Sequence, residues 1–501
     1  MVRGWAVSVA SVIERVESSA TPAADPRRWK ALAVIAVAQL MVVLDATIVN
    51  IALPQAQHSL GITDANRQWV VTAYTLTFGG LLLLGGRIAD YWGRKRTFLL
   101  GIIGFALASG LGGLATNGVT LFAARALQGA FGALLAPASL ALLTILFTDA
   151  KERAKAFGVY GAIAGGGAAV GLLLGGVLTE YANWRWCLLV NIPIALVAGA
   201  FGLRLVGESR AAGNTRYDIP GATLVTLGLA GLVYGFTHAA DPTKGWGDRV
   251  TIGFLVGSAA LLVAFVVVEL RSSHPLLPLR IVLDRTRGGA YIASMLTGAG
   301  LIGGTLFLSF YFQGILGYTP IQAGLASLPM TVGIFLTFPF ATALLPRLGA
   351  KALMATGSFV SAGGLLLFTR IGLENQFWTT SLPAELVMGA GLGLIFVPLG
   401  NVALAGVSPH DAGAAGAMVS ATQQVGGSLG VALLTSISVS AATTFATTHT
   451  PSPNLMAEAA VHSYLVGFRW AAAFLVVAGV AVLALIKRGS APSTSTPVHL
   501  G

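Results

Sequence analysis

Charge is scarce in this chain of 501 residues: Asp, Glu, Lys and Arg together make up 10% of it, against roughly 25% in soluble globular domains. That shortage excludes an ordinary water-soluble protein. Cysteine is nearly absent too, so no internal disulfide can form, and Cys187 within WRWCLLVNIP reads as a packing residue at lipid depth. The histidines are scattered, with no HxxxH pair and no cysteine partner, so no metal centre is expected. The phosphate loop GxxxxGK[ST] is missing, which argues against an ATP-driven machine. No cofactor is expected. Residues 1 to 30 lack a continuous apolar run, so no cleavable secretory signal is evident.

What the chain does have is hydrocarbon. Hydrophobic residues make up 55% and the mean hydropathy is +0.79. A stretch of about 20 apolar residues at ~1.5 Å rise crosses the ~30 Å bilayer core. Such stretches recur near 31–53, 68–87, 97–116, 119–147, 156–179 and 186–206, a first set of six. Two more follow near 219–239 and 250–270, then a second set near 289–313, 320–345, 350–370, 381–404, 413–440 and 463–486, fourteen in all. The reading is an all-α membrane protein embedded in the lipid bilayer. Its parts are a tail at 1–30, a six-helix bundle at 31–206, two inserted helices at 219–270, a second bundle at 289–486 and a tail at 487–501. The first tail is polar, although Trp5, Val9, Val12, Ile13 and Val16 would allow one short amphipathic turn. Glycine is abundant, and pairs such as Gly161/Gly165 and Gly171/Gly175 have the small-xxx-small spacing that lets helices approach closely in lipid.

Basic residues are retained on the cytoplasmic side. With the N-terminus inside, 23 of the 30 Lys and Arg fall in cytoplasmic segments. Both termini are then expected to be cytoplasmic, in a multi-pass protein of the cell membrane. The net charge of +11 is spread over every inner loop and not gathered on one face, so no nucleic-acid partner is expected. The segment 441–462 is longer than the other external connections and suggests a small hairpin.

Two charges sit at lipid depth. Asp45 lies in AVIAVAQLMVVLDATIVNIAL, eight residues or roughly 12 Å in from the outer end of its span near 53. Arg125 lies about six residues, roughly 9 Å, in from the outer end near 119. An intramembrane charge is costly and functional by default. Two opposite charges at comparable depth do best in one polar neighbourhood, either as a static helix lock or as a proton-coupling pair. Asn50 and Gln128 offer hydrogen bonds there, and Gly129 permits close helix approach.

Repetition is weak but visible: GGRIADYWGRKR (85 to 96) and LLPRLGAK (344 to 351) follow corresponding spans and keep Gly-x-Lys in the same place. Duplicated halves with a binding site between them are a recurring transporter plan. In the first of these loops Gly86 and Gly93 permit a tight turn, and Asp90 lies near Arg87, Arg94 and Lys95, a grouping that suggests a breakable latch.

GGRIADYWGRK resembles the inner-loop signature of the major facilitator superfamily, and LFAARALQGAFGA (121 to 133) resembles its fourth-helix signature. LDATIVNIALP (44 to 54) and WRWCLLVNIPI (184 to 194) resemble the branch of drug:proton antiporters with fourteen spans. The resemblance implies the major facilitator fold, two six-helix bundles plus two extra helices between them. It implies proton-coupled export of hydrophobic or cationic drug-like molecules by alternating access, a secondary transporter and not an enzyme, with Asp45 and Arg125 in the coupling role. It also implies that Asp90 faces the start of the helix near Gly413. Tyr91 departs from the pattern, where a basic residue is usual. The fifth span resembles the glycine-rich antiporter helix through Gly165, Gly171, Gly175 and Gly176, but Leu172 stands where that signature has proline.

The expected partners are a small-molecule substrate, protons and lipid, with the chain a monomer. For a substrate pocket the second half offers Tyr311, Gln313, Gln423 and Gln424, aromatic faces and amides suited to bulky, apolar or cationic molecules. Glu385, near the outer end of its span, is a further carboxylate that reads either as a substrate or proton ligand or as a solvated helix-end residue. An exporter of an endogenous metabolite or lipid, or a membrane receptor, would present the same composition.

Overall fold

The structure is a computed structural model. It describes residues 26–487 except 65, 148, 211–217, 242, 273–274, 276–278, 375–376 and 408–411. Residues 1–25 and 488–501 lie outside the described residues, as do 408–411 and the side-chain surroundings of Gly413, expected to face Asp90. Among those described there is no strand, as expected where every backbone group must find its partner within the segment.

The helices of the first half are α1 (Arg28–Leu60), α2 (Trp69–Trp92), α3 (Arg94–Gly113), α4 (Gly118–Leu146), α5 (Ala150–Tyr181) and α6 (Trp186–Leu205). The inserted pair is α7 (Ile219–Ala239) and α8 (Arg249–Arg271). The second half comprises α9 (Arg285–Phe310), α10 (Pro320–Ala326), α11 (Leu328–Leu367), α12 (Leu382–Leu404), α13 (Ala412–Thr448) and α14 (Leu455–Leu485). Twelve helical stretches are long and apolar enough to cross a bilayer. Among the described residues one of these stretches doubles back inside α11, and α5 contains a further, shorter apolar stretch. The face at which α1 begins and α14 ends is the terminus face, and the opposite one is the far face.

Glycine makes the reversals. Gly93 between α2 and α3 has φ 126°, and Gly349 within α11 has φ 78°, a region that side chains with a β-carbon rarely enter. Because of the second turn, Gly333 and Gly364 both lie against the Leu386–Gly389 stretch of α12. The Gly-x-Lys repetition in the sequence therefore marks the same tight turn in each half.

The inserted helices pack on each other, Gly228 and Gly235 against Leu262 and Leu255. α7 lies over the seam between α2 and α13, where Leu76, Leu229, Val233 and Ala432 share one cluster. α8 leaves Val256, Val263 and Leu270 exposed, a lipid-facing side. The α13–α14 connection is shorter than expected. Both helices continue through the apolar and small residues there, so α13 ends at Thr448 and α14 starts at Leu455 in place of a hairpin.

The halves meet toward the far face. Ser309 Oγ donates to the Asn50 carbonyl at 2.7 Å and Gln313 Nε2 to the Ile51 carbonyl at 3.1 Å, joining α9 to α1. A β-carbon on Gly176 of α5 would come within 2.8 Å of the Pro320 carbonyl, and one on Gly324 of α10 within 2.6 Å of the Leu172 carbonyl. The Ile321 amide donates to Glu180 Oε2 at 3.0 Å. These contacts close the far face.

Candidate functional site

α1 runs further toward the far face than its apolar run suggests, to Leu60. Asp45 is therefore at mid-helix and not in the outer half, yet it still meets Arg125, because helices of unequal length and tilt cross at that level. Both side chains are sealed, at 0% and 1% exposure. Arg125 Nη1 donates to Asp45 Oδ2 at 2.5 Å and to Gln128 Oε1 at 2.9 Å, and its Nε donates to the Val70 carbonyl at 2.9 Å. The guanidinium lies 4.5 Å over the Tyr74 ring, a favourable cation–π position.

The second carboxylate oxygen is held by amides. Asp45 Oδ1 accepts from Gln128 Nε2 and from Asn191 Nδ2, each at 2.9 Å. Both amides also donate to Ser109 Oγ at 2.9 Å, and Ser109 in turn donates to the Leu188 carbonyl at 2.7 Å. Five helices thus converge on one ion pair: α1, α3, α4 and α6 with side chains, α2 with a carbonyl. Such a pair tolerates burial because Asp45 accepts three hydrogen bonds and Arg125 donates three within the cluster.

Gln128 joins this cluster as the motif suggests, and Gly129 brings α4 onto α2, where a β-carbon would overlap the Tyr74 carbonyl and the Thr77 hydroxyl. Asn50 does not join: its Oδ1 is buried without a partner, and its carbonyl faces Ser309. Asn191 and Ser109 were missed by sequence reasoning. Asn191 was visible as the polar residue in WRWCLLVNIPI, whereas Ser109 carries no signal among the many hydroxyls of the spans.

The glycines of α5 line up on α1. Gly171 lies against Leu44 and Thr47, Gly175 against Ile48, and Gly176 turns toward α10. Gly165 belongs to α5, but its surroundings lie outside the described residues. Leu172, in the place of the proline, is buried, and its carbonyl is the one Gly324 approaches.

In the α2–α3 turn, Asp90 pairs with Arg94 at 2.7 Å. Arg87 instead reaches the Pro275 carbonyl at 3.3 Å and Tyr91 Oη at 3.2 Å, and Lys95 Nζ the Leu203 carbonyl at 2.7 Å. Gly86 faces Pro137. Glu208, not anticipated, accepts from the Lys95 amide at 3.2 Å and lies 3.7 Å from Arg96.

The pocket candidates do not converge. Tyr311 is fully buried within the second half, with Oη on the Gly372 carbonyl at 3.1 Å. Gln424 lies at the α2–α13 seam beside Gly79, and the Gln423 backbone lies against Gly298 of α9. Glu385 is at 0% exposure, so it is not a solvated helix end. Gln313 alone lines a cavity of about 490 Å³ on the far face, with His58, Gln55, Tyr318 and Trp184. Trp184 also walls a void of about 10 Å³ beside Arg125, at the lower limit for a single water. Among the described residues no group of His, Cys, Asp or Glu could hold a metal ion.

The family model of the Major Facilitator Superfamily matches residues 35–431, most of the chain. The chain belongs to the major facilitator superfamily. It is a secondary transporter and not an enzyme. This facilitator is 50% identical over 475 residues to a puromycin resistance protein of Streptomyces alboniger, covering 94% of each chain. It is 38% identical over 415 residues to a cephamycin export protein of Amycolatopsis lactamdurans, covering 81% of this chain and 84% of that one. Its fold matches the crystal structure of a bacterial homologue of the human lysosomal transporter Spinster with TM-score 0.61 at 14% identity, over 93% of this chain and 99% of that one.

Proposed function

We propose that this facilitator exports hydrophobic or cationic drug-like molecules from the cell in exchange for protons, with Asp45 as the coupling carboxylate and Arg125 as its reversible partner. The observation that carries the reading is the sealed Asp45–Arg125 pair with its amide shell. A proton on Asp45 removes one charge of the pair and leaves the Arg125 guanidinium to seek another acceptor, which is a two-state element that a proton can bias. The relatives supply the substrate class, since both are named for handling antibiotics.

The terminus face is read as cytoplasmic from the distribution of Lys and Arg. The observed closure between α1, α5, α9 and α10 is then closure toward the outside. Trp184 stands between the outer cavity and the void beside Arg125, so it is placed to block protons until the outer face opens. Export then proceeds by rocking of the two halves.

Expression in a drug-sensitive bacterium, on a panel of antibiotics and cationic dyes, tests the function. Cells carrying the chain should accumulate less of at least one compound, and a protonophore should abolish the difference. A difference that survives the protonophore contradicts proton coupling, and no difference with any compound contradicts drug export.

A further inference from the structure

Glu385 is the second carboxyl buried at lipid depth, and nothing in the coupling pair uses it. It lies eight residues beyond Phe377, where the span begins, or about 12 Å in. Oε2 accepts from the Met330 amide at 3.2 Å. Oε1 is buried with no hydrogen-bond partner, and so is the hydroxyl of Ser381, four residues earlier on the same helix. Asp45 has a guanidinium and two amides; Glu385 has one backbone amide.

No cation is at hand. α11 carries only Arg347 and Lys351, both beside the Gly349 bend at the terminus face. α9 carries Arg285, Arg287 and Tyr291 near its terminus-face end, and the turn that extends it carries Tyr311, already bound to the Gly372 carbonyl. α13 carries no titratable residue. Arg370 and Glu374 in the connection before α12 are both exposed. Among the described residues no ion pair includes Glu385.

The Met330 amide belongs to the first turn of α11, just past a break in the helix at Ser327. On the other side of that break is α10, the segment that closes the far face against α5 through Gly176, Gly324 and Glu180. An ionised Glu385 favours the helix N-terminus it accepts from. A protonated Glu385 turns one oxygen into a donor, and the unpartnered Ser381 hydroxyl is the acceptor nearest in sequence on its own helix. The two states hold α11 differently at the joint on which the gate segment hangs.

We propose that Glu385 is a second proton-binding site, and that its proton sets the joint between α10 and α11 and so the closure of the outer gate. The proposal rests on the proton-coupled reading above, but uses a different residue and readout. Ile321→Cys in the full chain, in vesicles with that face outward, is labelled with a membrane-impermeant maleimide across a range of external pH, every rate being taken relative to that of free cysteine at the same pH so that the titration of the thiol itself cancels. The labelling rate should change severalfold with pH in the otherwise unchanged protein. It should become independent of pH in Glu385→Gln, and respond with a displaced midpoint in Glu385→Asp. Asp45→Asn should lose coupled export while keeping the pH response of labelling, which separates the two readings. A pH response that survives Glu385→Gln overturns the proposal, as does labelling that ignores pH from the start. Should Glu385→Gln fail to fold, an unchanged midpoint in Glu385→Asp overturns it equally.

Discussion

Arg125 is the residue on which the buried network depends, because it carries a positive charge into a site sealed from solvent. Its guanidinium serves Asp45, Gln128 and the Val70 carbonyl at once. Removing one partner of a buried ion pair costs about 3–5 kcal/mol, since the other is left uncompensated. Arg125→Leu should therefore lower the thermal midpoint of the purified protein markedly, and Arg125→Leu with Asp45→Leu should recover much of the loss. A double variant no more stable than the single would contradict a pair held by mutual compensation. Trp184 makes a different prediction at the same scale. Trp184→Ala should let protons leak through vesicles in the absence of drug, read as faster collapse of an imposed pH gradient; a gradient as durable as that of the unsubstituted protein would remove Trp184 from the proton path.

At the scale of elements, α5 does two jobs with its two glycine faces. Gly171 and Gly175 seat it on α1 beside Asp45, and Gly176 faces α10. The helix thus touches both the coupling site and the outer closure. Gly324 is the reciprocal position on α10, pressed on the Leu172 carbonyl. Gly324→Leu should hold α5 and α10 apart, raising maleimide labelling of a cysteine at Ile321 while leaving the Asp45 network intact. Labelling as slow as in the closed protein would show that α5–α10 contact is not the gate.

These elements differ in how far the sequence discloses them. The spans and the meeting of Asp45 with Arg125 were legible because apolar runs and isolated charges are strong signals in lipid. The tight turns at Gly93 and Gly349 were legible from a repeated Gly-x-Lys. The roles of Asn191 and Ser109 were hidden, because neutral polar residues occur throughout the spans and only packing selects those that face the carboxylate. Asn50, inside the same motif as Asp45, offers its carbonyl instead to the interhalf contact with Ser309. Glu385 carries two readings in the sequence, ligand or solvated helix end, because the residues Phe377–Ser381, which extend its helix outward as a wider turn, have no strong pattern of their own.

In the whole molecule, a far face closed by α1, α5, α9 and α10 lies above a sealed carboxylate. Rocking of the halves would break the α1–α9 and α5–α10 contacts together, exposing the route past Trp184. The central claim is that proton entry at Asp45 and drug exit are one event. Its most direct measurement uses vesicles carrying the chain and an acid interior, oriented so that drug moves inward, with a compound identified from the growth panel. Adding the compound should accelerate collapse of the pH gradient with the unsubstituted protein and have no effect with Asp45→Asn at equal expression. Drug uptake and gradient collapse that both persist in Asp45→Asn would contradict it.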